Sequence, residues 1–333
     1  MTAKSKSAWL TACLHYNEPW EALLVKAVKP YIDVVIQTGV ASRFCFQRSW
    51  ERGPHIRLSF KGNFFVLENM LRPNIKEHFN HYFESRPSLL IEPRYPAGFP
   101  DEHKWMPNNS VHILEEGPTG TLPGCRFHSS LCEKQYQASS MVVLNILKEK
   151  AGNWNYHEMI GAAIKLHLGF AYAAGLSLDE AQGLFQWMMN CWSKENEDVQ
   201  STKSNDKHTQ LRSFQKIFDL QKKDIVPYHA ALWELLRQYR KMDDPAFIKW
   251  FHTSCSTSLE LGLALDAGKL LIPSHDSIIE PHQPLWEVYA SFIQKVNNQL
   301  GITGKTEGYL FFSLSQSLKS IQTGTAIFSK AKA

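Results

Sequence analysis

Three polar side chains alternate with apolar ones along residues 55–60, and their chemistry suits binding of a carboxylate or a peptide carbonyl. His55, Arg57 and Ser59 fall on one side of a predicted strand, whereas the residues between them are apolar. A guanidinium offers a rigid fork of donors, and an imidazole and a hydroxyl add further hydrogen bonds. The alternative is a solvated hairpin with one ordinary surface arginine.

A second group of polar side chains lies in residues 284–300. On a helical wheel Ser291, Gln294 and Asn298 share one side, with Asn297 at its edge. These uncharged groups could bind a peptide backbone, or they could cap and bridge neighbouring helices. The apolar stripe beside them consists of Trp286, Tyr289, Ile293, Val296 and Leu300.

Strands and helices of two different regions must position these groups. Hydrophobic periodicity predicts strands and helices in residues 1–125 and helices alone in residues 126–323. We therefore expect an α+β fold with an N-terminal antiparallel sheet and flanking helices, followed by a mainly helical C-terminal part. The two parts are expected to form one compact unit with the site between them.

The element boundaries follow from caps, prolines and glycines. Pro30 predicts a kink, Ser177 begins a capping box, and Gly175 and Gly301 mark helix ends. The predicted strands are 8–16, 43–50, 55–60 and 110–115. The last of these lies inside a long predicted loop region at 85–123. The predicted helices are 19–37, 64–84, 129–150, 157–174, 178–194, 206–222, 227–241, 245–267, 285–300 and 306–320, with a flexible loop at 194–207 and a frayed tail after Thr323.

Composition excludes several classes of function. The 333 residues carry a net charge of +4, which allows an acidic peptide partner but is too weak for a nucleic-acid binder. Neither a secretion signal nor an apolar run of membrane-spanning length is present, so we expect a cytoplasmic protein without membrane contact. The chain could also form a homodimer.

The six cysteines show no paired or metal-binding spacing. We expect them to be reduced core residues, as is usual in a cytosolic protein. Cys125 and Cys132, with His128 between them, could suggest a metal, but no second pair of ligands accompanies them. No cofactor is expected, because the sequence contains no GxGxxG, Walker or HExxH pattern.

Together, residues 44–60, 127–147 and 284–318 resemble the small C-terminal domain of class I lanthipeptide dehydratases. This domain also occurs as a separate chain in thiopeptide-type bacteriocin biosynthesis. The first stretch matches an aromatic-Arg strand followed by a "GPH-hydrophobic-R-hydrophobic-R" strand. The last matches a pattern of the form "S-x-IHM-x-NNRLGI…EaYL". The resemblance implies an α+β part followed by helices, and elimination of glutamate from a glutamylated precursor peptide.

This sequence departs from the residues that the family uses for elimination. Arg57 matches the first arginine, but Ser59 replaces the second, and Gln294 replaces the histidine of "IHM". Gln299 replaces the arginine of "NNRLG", and the nearest substitute for a further family arginine is Arg126. An amide is no general base near neutral pH, and a hydroxyl carries no positive charge. We therefore expect that ordinary glutamate elimination is lost.

Three functions remain open. Relatives that lack these groups include the pyridine synthases, which join two dehydroalanines by a formal [4+2] cycloaddition and then lose water and the leader peptide. That leader-dependent reaction needs the peptide to be positioned and one of its carbonyls to be hydrogen-bonded. It depends less on a set of charged side chains around the substrate. The alternatives are a glutamate-eliminating subunit that works beside a glutamylating dehydratase subunit, and a non-catalytic subunit that only binds the leader.

The candidate residues are assigned to catalysis or to substrate binding. The partner is a precursor peptide, with its leader and its core. The predicted catalytic residues are Arg57, His55, Ser59, Gln294 and Asn298. The predicted substrate-binding residues are Arg48, Ser291, Asn297, Tyr289, Arg126 and His112, although Tyr289 and Trp286 also suit the core.

Overall fold

The computed structural model describes residues 7–89, 93–115, 117, 129–199, 205–269 and 285–330. The chain divides into two compact units, residues 1–121 with 132–155, and residues 122–131 with 156–333. The first unit contains a four-stranded antiparallel sheet, and the described part of the second is helical. The predicted α+β class is confirmed.

Strands and helices alternate in the first unit. The strands are β1 at Ser7–His15, β2 at Arg43–Ser49, β3 at His55–Asn63 and β4 at Ser110–Leu114. The helices are α1 at Glu21–Leu23, α2 at Lys29–Gln37, α3 at Phe64–Val66, α4 at Arg72–Ser85 and most of α5 at Ser129–Glu149, with a 3₁₀ turn at Asp101–His103.

The sheet has the order β2-β3-β1-β4, so β3 lies inside it with a partner on each side. One face carries the apolar residues of every strand, and helices α2 and α4 pack near it, as the contact of Tyr31 with Phe60 illustrates. The edge strand β2 is capped by α5, where the Ser140 hydroxyl accepts a hydrogen bond from the Phe46 N–H at 3.2 Å. Directly paired residues share a face, so the second face is the one that carries Arg57.

Two prolines of the first unit lie just after π-helical turns. The turn Leu24–Val28 joins α1 to α2, where Pro30 is one of the first two residues. The turn Leu67–Leu71 joins α3 to α4, which begins at Arg72-Pro73. Proline has no N–H and its ring crowds the preceding turn, and a widened turn accommodates both effects. The predicted break at Pro30 therefore takes the form of a π turn.

The second unit is built around helix α6, which is apolar on nearly every side and contacts several neighbouring helices. A 3₁₀ turn at Tyr239–Lys241 precedes α9. The helices are α6 at Tyr156–Ala173, α7 at Leu178–Val199, α8 at Asn205–Leu236, α9 at Pro245–Asp266, α10 at Trp286–Leu300 and α11 at Gly304–Lys330.

Three predicted boundaries are wrong. Helix α8 continues through Pro227, because buried residues on both sides of the proline, including Phe218 and Trp233, hold the helix together despite the lost hydrogen bond. Helix α7 extends to Val199, into the predicted loop, and α11 continues to Lys330, beyond the predicted end.

The predicted caps are confirmed. Ser177 and Glu180 exchange side chain–backbone hydrogen bonds at the start of α7, and Gly175 and Gly301 have φ values of +77° and +90° at helix ends. Cys132 is in a disulfide, so the expectation that all cysteines are reduced is wrong there. No disulfide is formed by Cys13, Cys45, Cys191 and Cys255, as expected. Within the described ranges, no helix combines the length and apolarity that a membrane crossing requires.

The packing of α7 against α11 gives a test of the second unit. Gly308→Ala would place a methyl group 2.7 Å from the Trp192 ring, so we expect overpacking to destabilise the unit by about 2 kcal/mol. The matched variant Gly262→Ala meets no atom within 4 Å and should stabilise α9 by about 0.5–1 kcal/mol. Urea unfolding would measure both changes, and shifts of the same sign would contradict the packing argument.

Candidate functional site

The polar side of β3 is buried, although it carries a cation. His55, Arg57 and Ser59 expose 3%, 5% and 1% of their surface, respectively. This burial excludes the solvated hairpin that the sequence left open. A buried polar group loses its water and must find other partners, so each of these side chains is held by specific neighbours.

The position of the family's second arginine is neutral in this chain. Ser59 lies between Cys45 and Thr11 on the neighbouring strands, and its hydroxyl is hydrogen-bonded to that of Thr11 at 2.7 Å. The next cations along this face are Lys61 and Arg43. Both contact the same carboxylate, that of Glu133 on α5.

Glu133 on α5 binds both cations at the far end of the polar face. Its carboxylate accepts hydrogen bonds from the Lys61 Nζ at 2.7 and 2.8 Å, and the Arg43 Nε lies 3.7 Å away. The Lys61 Nζ also lies 5.6 Å from the centroid of the Trp9 ring. These two cations are therefore engaged within the first unit.

Arg57 occupies the middle of the polar face. In register it lies between Gln47 on β2 and Cys13 on β1, with His112 of β4 beyond Cys13. Its Nη1 is 3.9 Å from a carboxylate oxygen of Glu51, whose side chain is 78% exposed. A long ion pair with a solvated partner contributes little, so the charge of Arg57 is only weakly compensated by this pair.

His55 and His15 form a pair of tilted rings at the other end of the polar face. Their rings are paired in register, with centroids 4.6 Å apart and an interplanar angle of 36°. The Nδ1 of His55 lies 2.9 Å from the Gly53 carbonyl oxygen. Because a carbonyl can only accept, Nδ1 carries the proton, and a neutral ring then presents a lone pair at Nε2. Among the described residues, that Nε2 is buried without a hydrogen-bond partner.

Burial keeps both imidazoles neutral. It is the largest cause that lowers the pKa of His15, to about 3, and the neighbouring His55, His112 and Arg52 add to the effect. Burial also lowers the pKa of His55, and Arg57 lowers it further, whereas the Gly53 carbonyl and Glu51 oppose the change. At neutral pH the pair therefore offers a hydrogen-bond acceptor beside the cation Arg57.

The turn between β2 and β3 fixes the Gly53 carbonyl. Gly53 has a φ of +100°, and a Cβ at this position would lie 2.9 Å from the Trp105 ring. Met106 also donates its backbone N–H to the Arg52 carbonyl at 2.8 Å. The predicted loop region thus packs on the turn that orients His55.

Of the predicted binding residues of the first unit, Arg48 lies on the face opposite Arg57, and His112 lies on the same face. Arg48 pairs with Ile56 in the sheet, so it lies on the opposite face, where it binds Glu21 at 3.0 Å and lies 5.5 Å from the centroid of the Trp20 ring. The structure therefore does not bring Arg48 together with Arg57. His112 does share the face of Arg57, but it lies on the edge strand and is exposed. Arg126 lies outside the described residues.

Two of the predicted polar side chains of α10 in the second unit, Asn297 and Ser291, bind groups of the helices. Asn297 donates to a carboxylate oxygen of Glu307 at 3.0 Å, which links α10 to α11. The Ser291 hydroxyl donates to the Val288 carbonyl within the same helix. These side chains bind neighbouring helical groups, as the alternative interpretation of the amides predicted.

Tyr289 lies in the core of the second unit. Its ring contacts Phe170, its hydroxyl interacts with Ser258, and burial raises its pKa to about 12. The apolar stripe predicted on this helix is confirmed, because all of its residues are buried. Gln294 is exposed and Asn298 is half-buried, so these are the side chains of the predicted polar side that are accessible.

Sequence reasoning missed the contribution of β1. Thr11 and His15 alternate with apolar residues in the same way as the side chains of β3, and this alternation was the available signal. Their pairing with Ser59 and His55 depends on the strand register, which a single sequence does not specify. Across the described ranges, no cluster of three or more His, Cys, Asp or Glu side chains could hold a metal ion.

Comparison with protein families places the fold in a known class. The family model described as "Lantibiotic biosynthesis dehydratase C-term" matches residues 9–318. The chain therefore belongs to this family. Comparison with curated protein sequences finds no match.

Solved structures share the fold at low sequence identity. The pyridine synthase TbtD from thiomuracin biosynthesis matches with a TM-score of 0.73 and 16% identity, over 94% of this chain and 98% of that one. The tRNA-dependent lantibiotic dehydratase MibB from Microbispora sp. 107891 matches with a TM-score of 0.62 and 14% identity, over 98% of this chain but 29% of that one. TsrL matches with a TM-score of 0.61 and 14% identity, over 95% of each chain.

The buried His15 gives the protein a predictable dependence of stability on pH. With a pKa of about 3 in the folded state and 6.5 as the ordinary value, the unfolded chain binds the proton more readily between these values. The stabilisation is complete above pH 6.5 and declines as the pH falls towards 3, by about 2 kcal/mol at pH 5. Urea unfolding of wild type and His15→Phe at several pH values would measure this. The variant should lose less stability on acidification, and parallel curves would contradict the assignment.

Proposed function

We propose that this chain is a leader-dependent cyclase that forms a pyridine ring from two dehydroalanines of a ribosomally made precursor peptide. The family match and the shared fold with TbtD, a pyridine synthase, support this class of function. The proposed substrate is the precursor peptide with its leader. The reaction is a formal [4+2] cycloaddition followed by loss of water and of the leader.

The main observation behind the proposal is that residue 59 is a serine, whose side chain carries no charge. A glutamate-eliminating relative would place a second arginine there, to hold a leaving carboxylate. Here Ser59 is buried against Thr11, and the adjacent cations Lys61 and Arg43 are engaged by Glu133. A single cation flanked by neutral groups suits a carbonyl that gains negative charge better than it suits a carboxylate.

The side chains of the polar face have distinct proposed roles. Arg57 would bind the oxygen of the amide that takes on iminol character during ring formation, and Ser59 would fix its position by its bond to Thr11. His55 would contact the same peptide unit. From α10, Gln294 and Asn298 would hydrogen-bond the peptide backbone, since both are accessible.

One observation favours a second function, a glutamate-eliminating subunit that works with a glutamylating dehydratase. The sequence showed no base in place of the family's histidine, but the structure provides a neutral imidazole at His55. Such a group could remove the α-proton of a glutamylated residue. The match to the dehydratase MibB is compatible with this function.

A peptide assay distinguishes these functions. The precursor peptide encoded beside this gene would be prepared in two forms, one with two dehydroalanines made by oxidative elimination of Se-phenylselenocysteine, and one glutamylated on serine. Mass spectrometry after incubation with the purified full chain should show loss of water and of the leader from the first form. Loss of glutamate from the second form would instead support elimination, and binding without either product would leave only the leader-binding function.

Arg57 provides the kinetic test of the proposed function. Arg57→Gln should lower kcat/KM for pyridine formation by about 10²-fold, because a donor to the developing oxyanion is lost. Arg57→Lys should recover part of this loss, since it restores the charge without the planar fork. The matched control is Arg237→Gln, at an exposed arginine of the second unit, which should leave the rate unchanged. Circular dichroism would check that both proteins are folded. Equal rates for wild type and Arg57→Gln would then contradict the proposed role of Arg57 in stabilising the oxyanion.

A further inference from the structure

The polar face of the sheet combines a hydrogen-bond donor and an acceptor that match the two ends of one peptide amide. Arg57 and His55 are two residues apart on β3, so their Cα atoms are about 7 Å apart and both side chains project from the same face. Arg57 can only donate. His55 accepts at Nε2, because its Nδ1 proton is committed to the Gly53 carbonyl.

We propose that His55 is a catalytic residue that takes the amide proton during the ring-forming step, while Arg57 stabilises the oxygen of the same amide. The inference rests on the proposed cyclase function and deepens it, because it names the group that makes the amide reactive. His15 is a positioning residue. Its ring lies 4.6 Å from that of His55, and both side chains are buried.

The proposed step balances in protons and electrons. The amide N–H proton moves to the Nε2 of His55, and the electron pair of that bond forms a carbon–nitrogen double bond. The carbonyl π pair moves to the oxygen, whose negative charge lies beside the guanidinium of Arg57. The new carbon–nitrogen double bond and the adjacent dehydroalanine double bond together form a four-atom diene. The second dehydroalanine adds to this diene. After the ring closes, the imidazolium returns its proton to the oxygen, giving the hydroxyl that later leaves as water.

The burial of the pair explains why a histidine can serve here. A lone pair that faces water would be solvated and partly protonated near neutral pH. At His55 the surrounding protein, the Gly53 carbonyl and Arg57 together maintain the neutral tautomer, and Nε2 is left buried without a hydrogen-bond partner among the described residues. The titratable or charged groups that face His55 are His15 on β1, Arg57 on β3, Glu51 and Arg52 in the turn between β2 and β3, and His112 on β4.

The kinetic test compares His55→Gln with wild type on the peptide that carries two dehydroalanines. Glutamine can still hydrogen-bond but takes no proton, so we expect the rate of pyridine formation to fall by about 10²-fold or more. The wild-type rate should rise with pH only below 6.5, where His55 loses its proton, and the variant should lose this acid limb. His103→Gln, at an exposed histidine of the same unit, is the matched control and should keep both rate and profile.

A second variant tests the positioning role of His15. His15→Ala would open the packing over His55 and reduce its desolvation, which raises the pKa of His55 towards its ordinary value. The acid limb of the rate profile should therefore move to higher pH. A lower rate with an unmoved limb would show a merely structural effect and would overturn the positioning role. A His55→Gln rate within about threefold of wild type would overturn the catalytic role.

A binding measurement separates failure of this inference from failure of the proposed function. The probe is the same precursor peptide with alanines in place of the dehydroalanines, which cannot react. On its addition, the ¹⁵N NMR signal of the His55 Nε2 should shift, because the atom accepts a hydrogen bond from the peptide. If wild type forms no pyridine, the proposed function fails. The ¹⁵N signal of the His55 Nε2 still tests whether this atom binds the peptide. A peptide that binds without moving the signal overturns the inference, and a peptide that does not bind overturns both.

Discussion

Strand β3 is buried on both of its faces, and the rest of the first unit follows from that constraint. Its apolar side packs in the core, as any half-buried strand would, but its other side is polar and equally hidden from water. Desolvated polar groups are costly unless they are matched. The matches come from the neighbouring strand β1 for Ser59 and His55, and from α5 for the cations at the far end. Glu133 thus binds the two cations at one end of the polar face, while Arg57 and the imidazole pair lie at its middle and other end.

The neutral imidazole pair and the single cation are consequences of the same burial. Low local polarity penalises a second positive charge, so the histidines near Arg57 remain unprotonated. The same low polarity strengthens any hydrogen bond that a peptide makes to these groups.

Local patterns in the sequence predicted most of the elements, whereas the partners of the site depended on contacts between distant residues. The alternation in residues 55–60 identified the polar strand, and the glycines and the capping box located helix ends correctly. The sequence could not indicate that Arg48 would lie on the opposite face, because its side depends on the register with β3. Pro227 was read as a helix boundary, but the packing around it outweighs one lost hydrogen bond. Likewise, the roles of Asn297 and Ser291 became clear only from the groups that they contact.

The π turns before Pro30 and Pro73 give the buried stripes of these helices an unusual spacing. In each of these segments one row of buried residues recurs every four positions, at a slightly longer interval than the 3.6 residues of an α-helical turn. On a plain α-helix such a stripe would drift steadily around the axis, by about 40° per step. A π turn takes up one additional residue and so resets this phase, which keeps the stripe facing the sheet. A strict interval of four that runs over a dozen residues and past a proline is thus a readable mark of a π turn. The two stripes are Leu23, Ala27, Tyr31 and Val35, and Leu67, Leu71, Ile75, Phe79 and Phe83.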